Sequence, residues 1–167
     1  MSNHTRKIIF TILILLNCMT IFYFSNQIAD DSGRQSSRVV GIILKLIPFI
    51  NDRQEPDRTM IIETILTPIV RKMAHFSIYA MLGILTMNYM DTIEGKKTSK
   101  KAIYALMFCF LYAMTDEFHQ YFISGRSAEI RDVLIDSSGA LMGILLTIGA
   151  IRIIKKVKNN IERKHVS

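Results

Sequence analysis

The sequence has few of the features that define small extracellular or metal-binding domains. It carries only two cysteines among 167 residues, Cys18 and Cys109, and both lie inside apolar segments. Their number and spacing define neither a disulfide framework nor a zinc site. No internal repeat and no low-complexity tract is present, which excludes a solenoid and a compositionally biased chain. No small-x-small cleavage site follows the first apolar segment, so we interpret it as an uncleaved membrane span.

Charge is missing from several long segments, and this points to a membrane protein. Half of the residues are apolar, and with their flanks the apolar blocks reach the roughly 20 residues needed to cross a bilayer. The prediction is one all-α membrane domain over residues 1–167, folded as a bundle of four transmembrane helices. The predicted spans cover residues 7–25, 69–90, 102–123 and 132–152.

The longest segment between spans, residues 26–67, is predicted to be an outer loop that contains amphipathic helices. Apolar residues recur there at helical spacing in two runs. The runs are Val39, Ile42, Ile43, Leu46, Ile47 and Ile50, and then Ile61, Ile62, Ile65, Leu66 and Ile69. The first helix lies either on the outer membrane surface or against the bundle. Thr67 and Pro68 are typical of a helix start, so the second span is predicted to begin there.

Basic residues set the predicted orientation. The net charge of +7 comes mostly from short segments before the first span, between the second and third, and after the fourth. These segments are 6–7, 96–101 and 152–164. Because Lys and Arg collect on the cytoplasmic side, the prediction is a multi-pass protein of the cell membrane with both termini cytoplasmic. The basic tail is interpreted as an anchor at lipid headgroups, with no role in binding nucleic acid.

One polar cluster interrupts the third predicted span and is the strongest indication of function. Asp116 and Glu117 are adjacent in the sequence and follow directly on an apolar run that begins at Ala102. Carboxylates are costly in hydrocarbon, so each needs a partner, water or a ligand. The cluster is therefore a candidate functional site.

Polar groups on all four spans are predicted to lie at one depth. At a rise of about 1.5 Å per residue, His75, Asp116 and Asp136 lie roughly 21 to 24 Å above the inner membrane edge, and Ser25 roughly 27 Å above it. Helical facing agrees, because Lys72, His75 and Tyr79 share one face of the second span, and Asp116, His119 and Gln120 share one face of the third. The sequence thus predicts a polar pocket in the outer third of the membrane. The alternative is that these groups only hold helices together.

The fourth span carries a narrow stripe of Asp132, Asp136, Gly139 and Gly143. Its two glycines form a G-x-x-x-G pair, which lets a neighbouring helix approach closely. The two carboxylates are therefore predicted to point along the packed face. One hydrogen-bonded and ionic cluster, open to the outer face, is predicted from His75, Asp116, Glu117, Gln120, Arg126 and Asp132. We expect Asp116 or Glu117 to pair directly with Arg126 or His75, and Arg131 to be able to reach the same layer.

In their order and spacing, these residues resemble the VanZ family over nearly the whole chain. The motifs that carry the resemblance are Phe24-Ser25-Asn26-Gln27, Arg71-Lys72-x-x-His75-x-x-x-Tyr79, Asp116-Glu117-x-x-Gln120, Gly125-Arg126 and Asp132-x-x-x-Asp136-x-x-Gly139-x-x-x-Gly143. Two positions depart from the family pattern: Ser124 stands where proline is common, and Asp136 stands where asparagine is common. The founding member is associated with resistance to the glycopeptide teicoplanin. The resemblance implies an envelope function and no particular reaction.

Depth, facing and the resemblance together give a set of expected ligand-binding residues. They are Ser25, Gln27, Arg71, Lys72, His75, Tyr79, Asp116, Glu117, Gln120, Arg126, Asp132 and Asp136. No cofactor and no metal is expected. A ligand set of His75, Asp116, His119 and Asp132 is chemically plausible, but no metal-binding motif supports it.

Three functions fit these residues. In the first, the pocket binds a membrane lipid or a lipid-linked cell-wall component and so changes glycopeptide sensitivity, with Arg71, Lys72 and Arg126 as cations for a phosphate or carboxylate. In the second, the protein is an intramembrane enzyme in which His75 and Glu117 act as acid and base and Asp116 orients them, although no nucleophile is marked. A small transporter ranks last, because four spans are few and no inverted repeat is visible. An oligomer stays open.

The orientation predicts which positions an impermeant thiol reagent reaches in intact cells. In a variant without Cys18 and Cys109, a single cysteine at Asn51 or Gly125 is expected to be labelled from outside, because both positions lie in outer segments. A cysteine at Lys97 is expected to react only after permeabilisation, which is the control for its reactivity. Labelling at Lys97 in intact cells would refute the orientation and the outer position of the pocket.

Overall fold

The computed structural model describes residues 2–27, 29–46, 56–126 and 129–166, and within these ranges all regular structure is α-helical. The predicted all-α class is therefore confirmed. The helices are α1 (Asn3–Ser25), α2 (Ala29–Leu46), α3 (Pro56–Asp91), α4 (Thr98–Gln120) and α5 (Ile130–Val166).

Two of the described helices, α1 and α5, are long and apolar enough to cross a membrane by length and composition. Only 11% of the apolar window of α1 is buried, so its side chains face outward and do not fill a soluble core. In α5 the qualifying stretch is Ile130–Arg163. The other two predicted spans lie in α3 and α4, which are not among the qualifying helices. In α4, Lys101 at one end and Asp116 near the other shorten the uncharged stretch.

The helix that contains the second predicted span begins earlier than predicted. α3 starts at Pro56 and passes through Pro68, so the second amphipathic run and the span form one continuous helix. The Thr67 hydroxyl donates to the Glu63 carbonyl at 2.7 Å, one turn back, and does not cap a new helix. The prediction of a helix start at Thr67 and Pro68 is therefore wrong.

α2 packs against α3, so the first amphipathic helix covers the bundle. Val40 and Leu44 are buried, whereas Val39 and Ile42 of the predicted apolar face are exposed. The buried face is thus displaced by one residue from the predicted one. Apolar side chains lie on both neighbouring faces of α2, and packing against α3 determines which face is buried. Ile47, Ile50 and the position Asn51 lie outside the described residues.

The third predicted span is shorter than expected, because α4 ends at Gln120 and not at residue 123. A turn follows, in which the amide of Arg126 donates to the Ile123 carbonyl at 3.1 Å. Gly125 adopts a φ of 76° there, a left-handed conformation that glycine takes without steric cost. The turn brings Arg126 back over the end of α4.

α3 and α5 share the largest contact between helices, and glycine makes it possible. A Cβ atom on Gly139 would lie closer than 3.0 Å to the Phe76 carbonyl oxygen, and one on Gly143 would do the same to Ala80. Gly83 of α3 approaches the backbone of α5 equally closely. The predicted close approach through the G-x-x-x-G pair is confirmed, and α3 is the partner. This contact between the helices determines how closely His75 of α3 and Asp136 of α5 approach each other.

Small and medium-sized side chains fill the space between the helices. Ile21, Tyr79, Leu82, Cys109, Ala113 and Ala140 form one buried cluster. Met87, Ala105 and Ile144 form a second. Both cysteines are free, as predicted. Many large apolar side chains on α1, α4 and α5 are exposed, which is expected where lipid replaces water around a helical bundle.

Alanine substitutions test the glycine contact. We expect Gly139→Ala and Gly143→Ala to destabilise the protein by about 1–3 kcal/mol or more, as overpacking does, because the new methyl group meets a backbone carbonyl. The larger Gly143→Leu change is expected to abolish folded protein. Thermal unfolding in detergent, followed by circular dichroism, measures the effect.

Gly149 is the matched control, because it lies on the same helix and a Cβ atom there has no neighbour within 4 Å. Gly149→Ala is expected to be neutral or slightly stabilising, since alanine has a helix propensity about 1 kcal/mol better than glycine. Equal melting temperatures for all three alanine variants would show that the helices do not meet through this stripe.

Candidate functional site

A polar cavity of about 120 Å³ lies between the middle of α3, the end of α4, the following turn and the start of α5. Its lining residues are Arg71, Lys72, His75, Glu117, Gln120, Gly125, Arg126, Glu129, Asp132, Ile135 and Asp136. Most of the predicted ligand-binding residues are among them. The fold therefore brings together side chains that are up to 65 positions apart in the chain.

The basic side of the cavity comes from one face of α3. His75 lies three residues after Lys72 and four after Arg71, and these are the two spacings that place helical side chains side by side. Lys72 donates to the Asp132 carboxylate at 2.5 Å and lies 3.9 Å from Glu129. These contacts join α3 to the start of α5. Arg71 has no hydrogen bond or ion pair with any residue that the structure describes.

Glu117 is held by the start of α5. Its carboxylate accepts the backbone N–H of Glu129 at 2.9 Å, immediately before the first residue of the helix. Unpaired amides and the helix dipole make such an end favourable for a negative charge. A carboxylate that is only 4% exposed is thereby compensated without an Arg or Lys partner.

Arg126 closes the cavity from the turn after α4. It donates to the Gln120 side chain at 2.9 Å and to the Phe24 carbonyl of α1 at 3.3 Å. Burial lowers the pKa of its guanidinium, and nearby Arg71 adds to this, whereas the carboxylates of Asp116 and Glu117 oppose it. The group remains charged because an arginine pKa lies far above neutrality.

Gln120 connects three polar groups at the end of α4. Its amide nitrogen donates to Asp116 at 3.2 Å and lies 3.4 Å from the Ser25 hydroxyl, while its oxygen accepts from Arg126. Ser25 is fully buried at the end of α1. The glutamine therefore links the first helix to the carboxylates of the fourth.

The deepest layer contains a histidine and two carboxylates. One ligand atom each of His75, Asp116 and Asp136 lies within 4.8 Å of the other two. His75 Nδ1 is 3.9 Å from Asp136 Oδ2, which is too long for a hydrogen bond. Asp136 is 1% exposed, and its Oδ2 has no hydrogen-bond partner in the described part of the chain.

The remaining predicted site residues lie beside the cavity and not in its wall. Tyr79 is fully buried in the core just below it, in electrostatic reach of Asp116 and Asp136. Gln27 lines a separate groove. His119 stacks on Phe22, with ring centres 4.7 Å apart. His119 is therefore not a member of the histidine and carboxylate group that the sequence suggested, whereas Asp136 is.

A second cavity, mainly apolar and about 190 Å³ in volume, adjoins the first. It lies between α2, α3 and the end of α1. Its lining residues are Phe24, Gln27, Gln35, Ser36, Val39, Val70, Arg71, Ala74, His75 and Ile78. Arg71 and His75 line both cavities, so a polar chamber and an apolar groove meet at these two side chains.

The predicted direct ion pair of Asp116 or Glu117 with Arg126 or His75 is not the one that forms. Arg126 donates to Gln120, which lies one turn nearer the end of α4, and Glu117 is occupied by the amide of Glu129. The closest ion pair in the cavity is Lys72 with Asp132. Arg131 is exposed and lines neither cavity.

The sequence interpretation missed two groups. Glu129 contributes its carboxylate to Lys72 and its amide to Glu117, and an acidic residue just before a helix was the available signal. The Phe24 carbonyl is a backbone group, so its contact with Arg126 could not be predicted from the residue types.

Comparison with known proteins gives one match. A model of the VanZ/LLP1 family matches residues 10–154. No curated protein and no solved structure matches the chain.

The ion pair of Lys72 in α3 with Asp132 in α5 is expected to contribute measurably to the stability of the protein. We expect Lys72→Met to destabilise the protein by about 1–2 kcal/mol, because it leaves Asp132 without its cation and the site is partly exposed. Asp132→Asn should cost less, since it removes the charge that needs the partner. A double-mutant cycle of thermal unfolding in detergent isolates the pair. Additive effects of the two changes would show that the contact contributes nothing.

Proposed function

The chain belongs to the VanZ/LLP1 family, and from this premise we propose that it is a multi-pass membrane protein whose outer cavity binds the anionic headgroup of a lipid-linked component of the cell envelope. The observation that carries the proposal is the junction of the polar cavity with the apolar groove at Arg71 and His75. A headgroup and an apolar chain of one molecule need adjoining polar and apolar surfaces.

The membrane arrangement rests on two apolar helices, the family and the distribution of charge. Asn3 donates to Glu94 at 3.1 Å, and Arg6 lies 3.8 Å from Asp91. The start of α1 and the segment after α3 therefore lie at one end of the bundle, together with the basic segment 96–101. The cavity lies at the opposite end of α4, beside the middle of α3. With the basic end cytoplasmic, four spans place both termini inside and the cavity outside.

The available cation favours an anionic ligand at the junction. Arg71 is free of ion pairs within the described chain, whereas Lys72 is taken by Asp132. A guanidinium without a carboxylate partner is suited to a phosphate, to which it can donate two parallel hydrogen bonds. Arg126 donates to neutral groups of Gln120 and Phe24 and is a second donor, with no carboxylate contact among the described residues.

The groove favours a ligand with a hydrocarbon chain. Besides Arg71 and His75, the polar residues of its wall are Gln27, Gln35 and Ser36. The rest of the wall is apolar and includes Val39, Val70 and Ile78. An isolated phosphate or sugar would leave this surface uncovered. We therefore place the headgroup between Arg71 and Arg126 and the first part of the chain against α2 and α3.

An effect on glycopeptide sensitivity follows from such binding. Glycopeptides act on lipid-linked or cell-wall material at the outer face, so a protein that holds a lipid-linked component there changes what the antibiotic meets. We propose this as a consequence of binding and not as a separate activity of the protein.

Intramembrane acid–base catalysis is the second candidate, because His75 lies beside two buried carboxylates. Its predicted base, Glu117, accepts a helix amide and is thereby held away from a catalytic position. Glu117→Gln keeps an oxygen acceptor for the Glu129 amide. A binding protein is therefore expected to retain ligand affinity in this variant, whereas an enzyme that uses Glu117 as base loses turnover while it still folds.

Binding of a polyprenyl phosphate by the detergent-purified protein tests the proposal. Arg71→Gln and Arg126→Gln are each expected to weaken binding about tenfold or more, because a charge-assisted hydrogen bond contributes about 1.5–3 kcal/mol and tenfold corresponds to about 1.4 kcal/mol. Arg131→Gln is the matched control, since Arg131 is exposed and lines neither cavity, and it should bind as the parent does.

The uncharged polyprenol of the same chain length and inorganic phosphate separate the two halves of the ligand. Each is expected to bind much more weakly than the intact polyprenyl phosphate. Equal affinity for the polyprenol and the polyprenyl phosphate would contradict a specific headgroup site. Equal losses of affinity in the Arg71 and Arg131 variants would contradict it as well. Growth on teicoplanin with the same variants reports whether binding carries any effect on the antibiotic.

A further inference from the structure

Two carboxylates at the cavity have no ion pair with a Lys or Arg side chain of the described residues. Lys72 pairs with Asp132 and lies near Glu129, while Glu117 is compensated by the start of α5. Asp116 and Asp136 remain, and within the described ranges the only ion-pair contact of Asp136 is with His75, 3.9 Å away. A protonated histidine would neutralise one negative charge of the two.

These three side chains converge from three different helices. His75 lies on α3, Asp116 on α4 and Asp136 on α5, and one ligand atom of each lies within 4.8 Å of the others. A zinc-class ion bonds nitrogen and oxygen ligands at about 2.0–2.2 Å, so it spans two ligand atoms that are up to about 4.2 Å apart. The 3.9 Å between His75 and Asp136 already fits this limit.

An unpaired carboxylate oxygen beside His75 indicates that a positive charge is missing from this group of side chains. Asp136 is 1% exposed and its Oδ2, on the side of His75, has no hydrogen-bond donor in the described chain. A buried carboxylate oxygen without a donor is costly, and a cation bound between His75, Asp116 and Asp136 would remove that cost.

A hydrogen bond from Gln120 orients the Asp116 carboxylate. It donates to Oδ2 of Asp116 at 3.2 Å, which leaves Oδ1 for another partner. Hydrogen bonds of this kind orient the ligands of metal sites. Arg126, which donates to the oxygen of Gln120, fixes the direction of the amide.

We propose that His75, Asp116 and Asp136 form a binding site for a divalent transition-metal cation. One imidazole with two carboxylates suits Zn²⁺ or Mn²⁺ better than Mg²⁺, because nitrogen ligands favour the transition metals. Three protein ligands leave coordination positions open, and those positions face the cavity. An oxygen of an anionic headgroup would complete the coordination; this last part rests on the proposed function, whereas metal binding itself does not.

Metal content and affinity of the purified protein test the site. After removal of any affinity tag and treatment with a chelator, the protein is expected to bind one Mn²⁺ or one Zn²⁺ per chain. Asp136→Asn and Asp116→Asn should each weaken Mn²⁺ binding at least about 100-fold, which is the upper range for loss of a supporting residue alone. Mn²⁺ also avoids confusion with the thiols of Cys18 and Cys109, which prefer softer metals.

Glu162→Gln is the matched control, because it removes an exposed carboxylate of the same helix that pairs with Lys158 at 3.8 Å and lies outside the cavity. It is expected to keep the stoichiometry and affinity of Mn²⁺. Equal losses in the variants at Glu162 and Asp136 would show non-specific attraction of the cation to acidic residues and overturn the site. Circular dichroism and thermal unfolding of each variant establish that it is folded, and a parent protein that binds neither metal also overturns the proposal.

The polyprenyl phosphate assay, repeated with chelator and with added Mn²⁺, separates the two proposals. Stronger binding with Mn²⁺ in the parent, and no such gain in Asp136→Asn, supports coordination of the headgroup by the ion. Binding of the phosphate ester that chelator leaves unchanged, in a protein that takes up no metal, overturns the metal site and leaves the headgroup site intact. Metal uptake without binding of the ester overturns the proposed function and leaves the metal site intact.

Discussion

The close approach of α3 and α5 determines the geometry of the whole site. Gly139 rests on the carbonyl of Phe76, which is adjacent to His75 in the chain, and Asp136 lies one helical turn before Gly139. A Cβ atom at Gly139 would lie closer than 3.0 Å to the Phe76 carbonyl oxygen, so any side chain there would push the two helices apart. Backbone packing in the bundle therefore sets the distance between the charged groups of the site.

Several ionisable groups of the site are compensated, each in a different way. Lys72 and Asp132 form an ion pair, Glu117 uses the amide at the start of α5, and Arg126 binds a neutral amide and a carbonyl. These contacts connect different helices, and loss of the amide contact would leave the carboxylate of Glu117 buried and uncompensated. The polar network therefore contributes to the assembly of the bundle as well as to its function.

The composition of the site could be predicted from the sequence, but its connections could not. Depth and helical facing follow from a constant rise and rotation per residue, so His75, Asp116 and Asp136 could be assigned to one layer. Pair formation depends on rotamers and on turn geometry. Gln120 stands between Asp116 and Arg126, and no sequence spacing reports this. The continuous path of α3 through Pro68 was equally hidden, because a proline at a helix start and one inside a helix look alike until tertiary contacts decide.

The proposed ion resolves an apparent conflict between the charge of the cavity and its proposed ligand. With Asp116 and Asp136 uncompensated, the deep part of the cavity would repel a phosphate, and Arg71 and Arg126 would have to overcome that repulsion. A divalent cation between the two carboxylates and His75 neutralises them and presents a Lewis acid toward the cavity. The same anionic headgroup then meets a metal ion below and Arg71 at the junction with the apolar groove. In that arrangement the acidic layer supports anion binding, because it holds the cation that the headgroup binds.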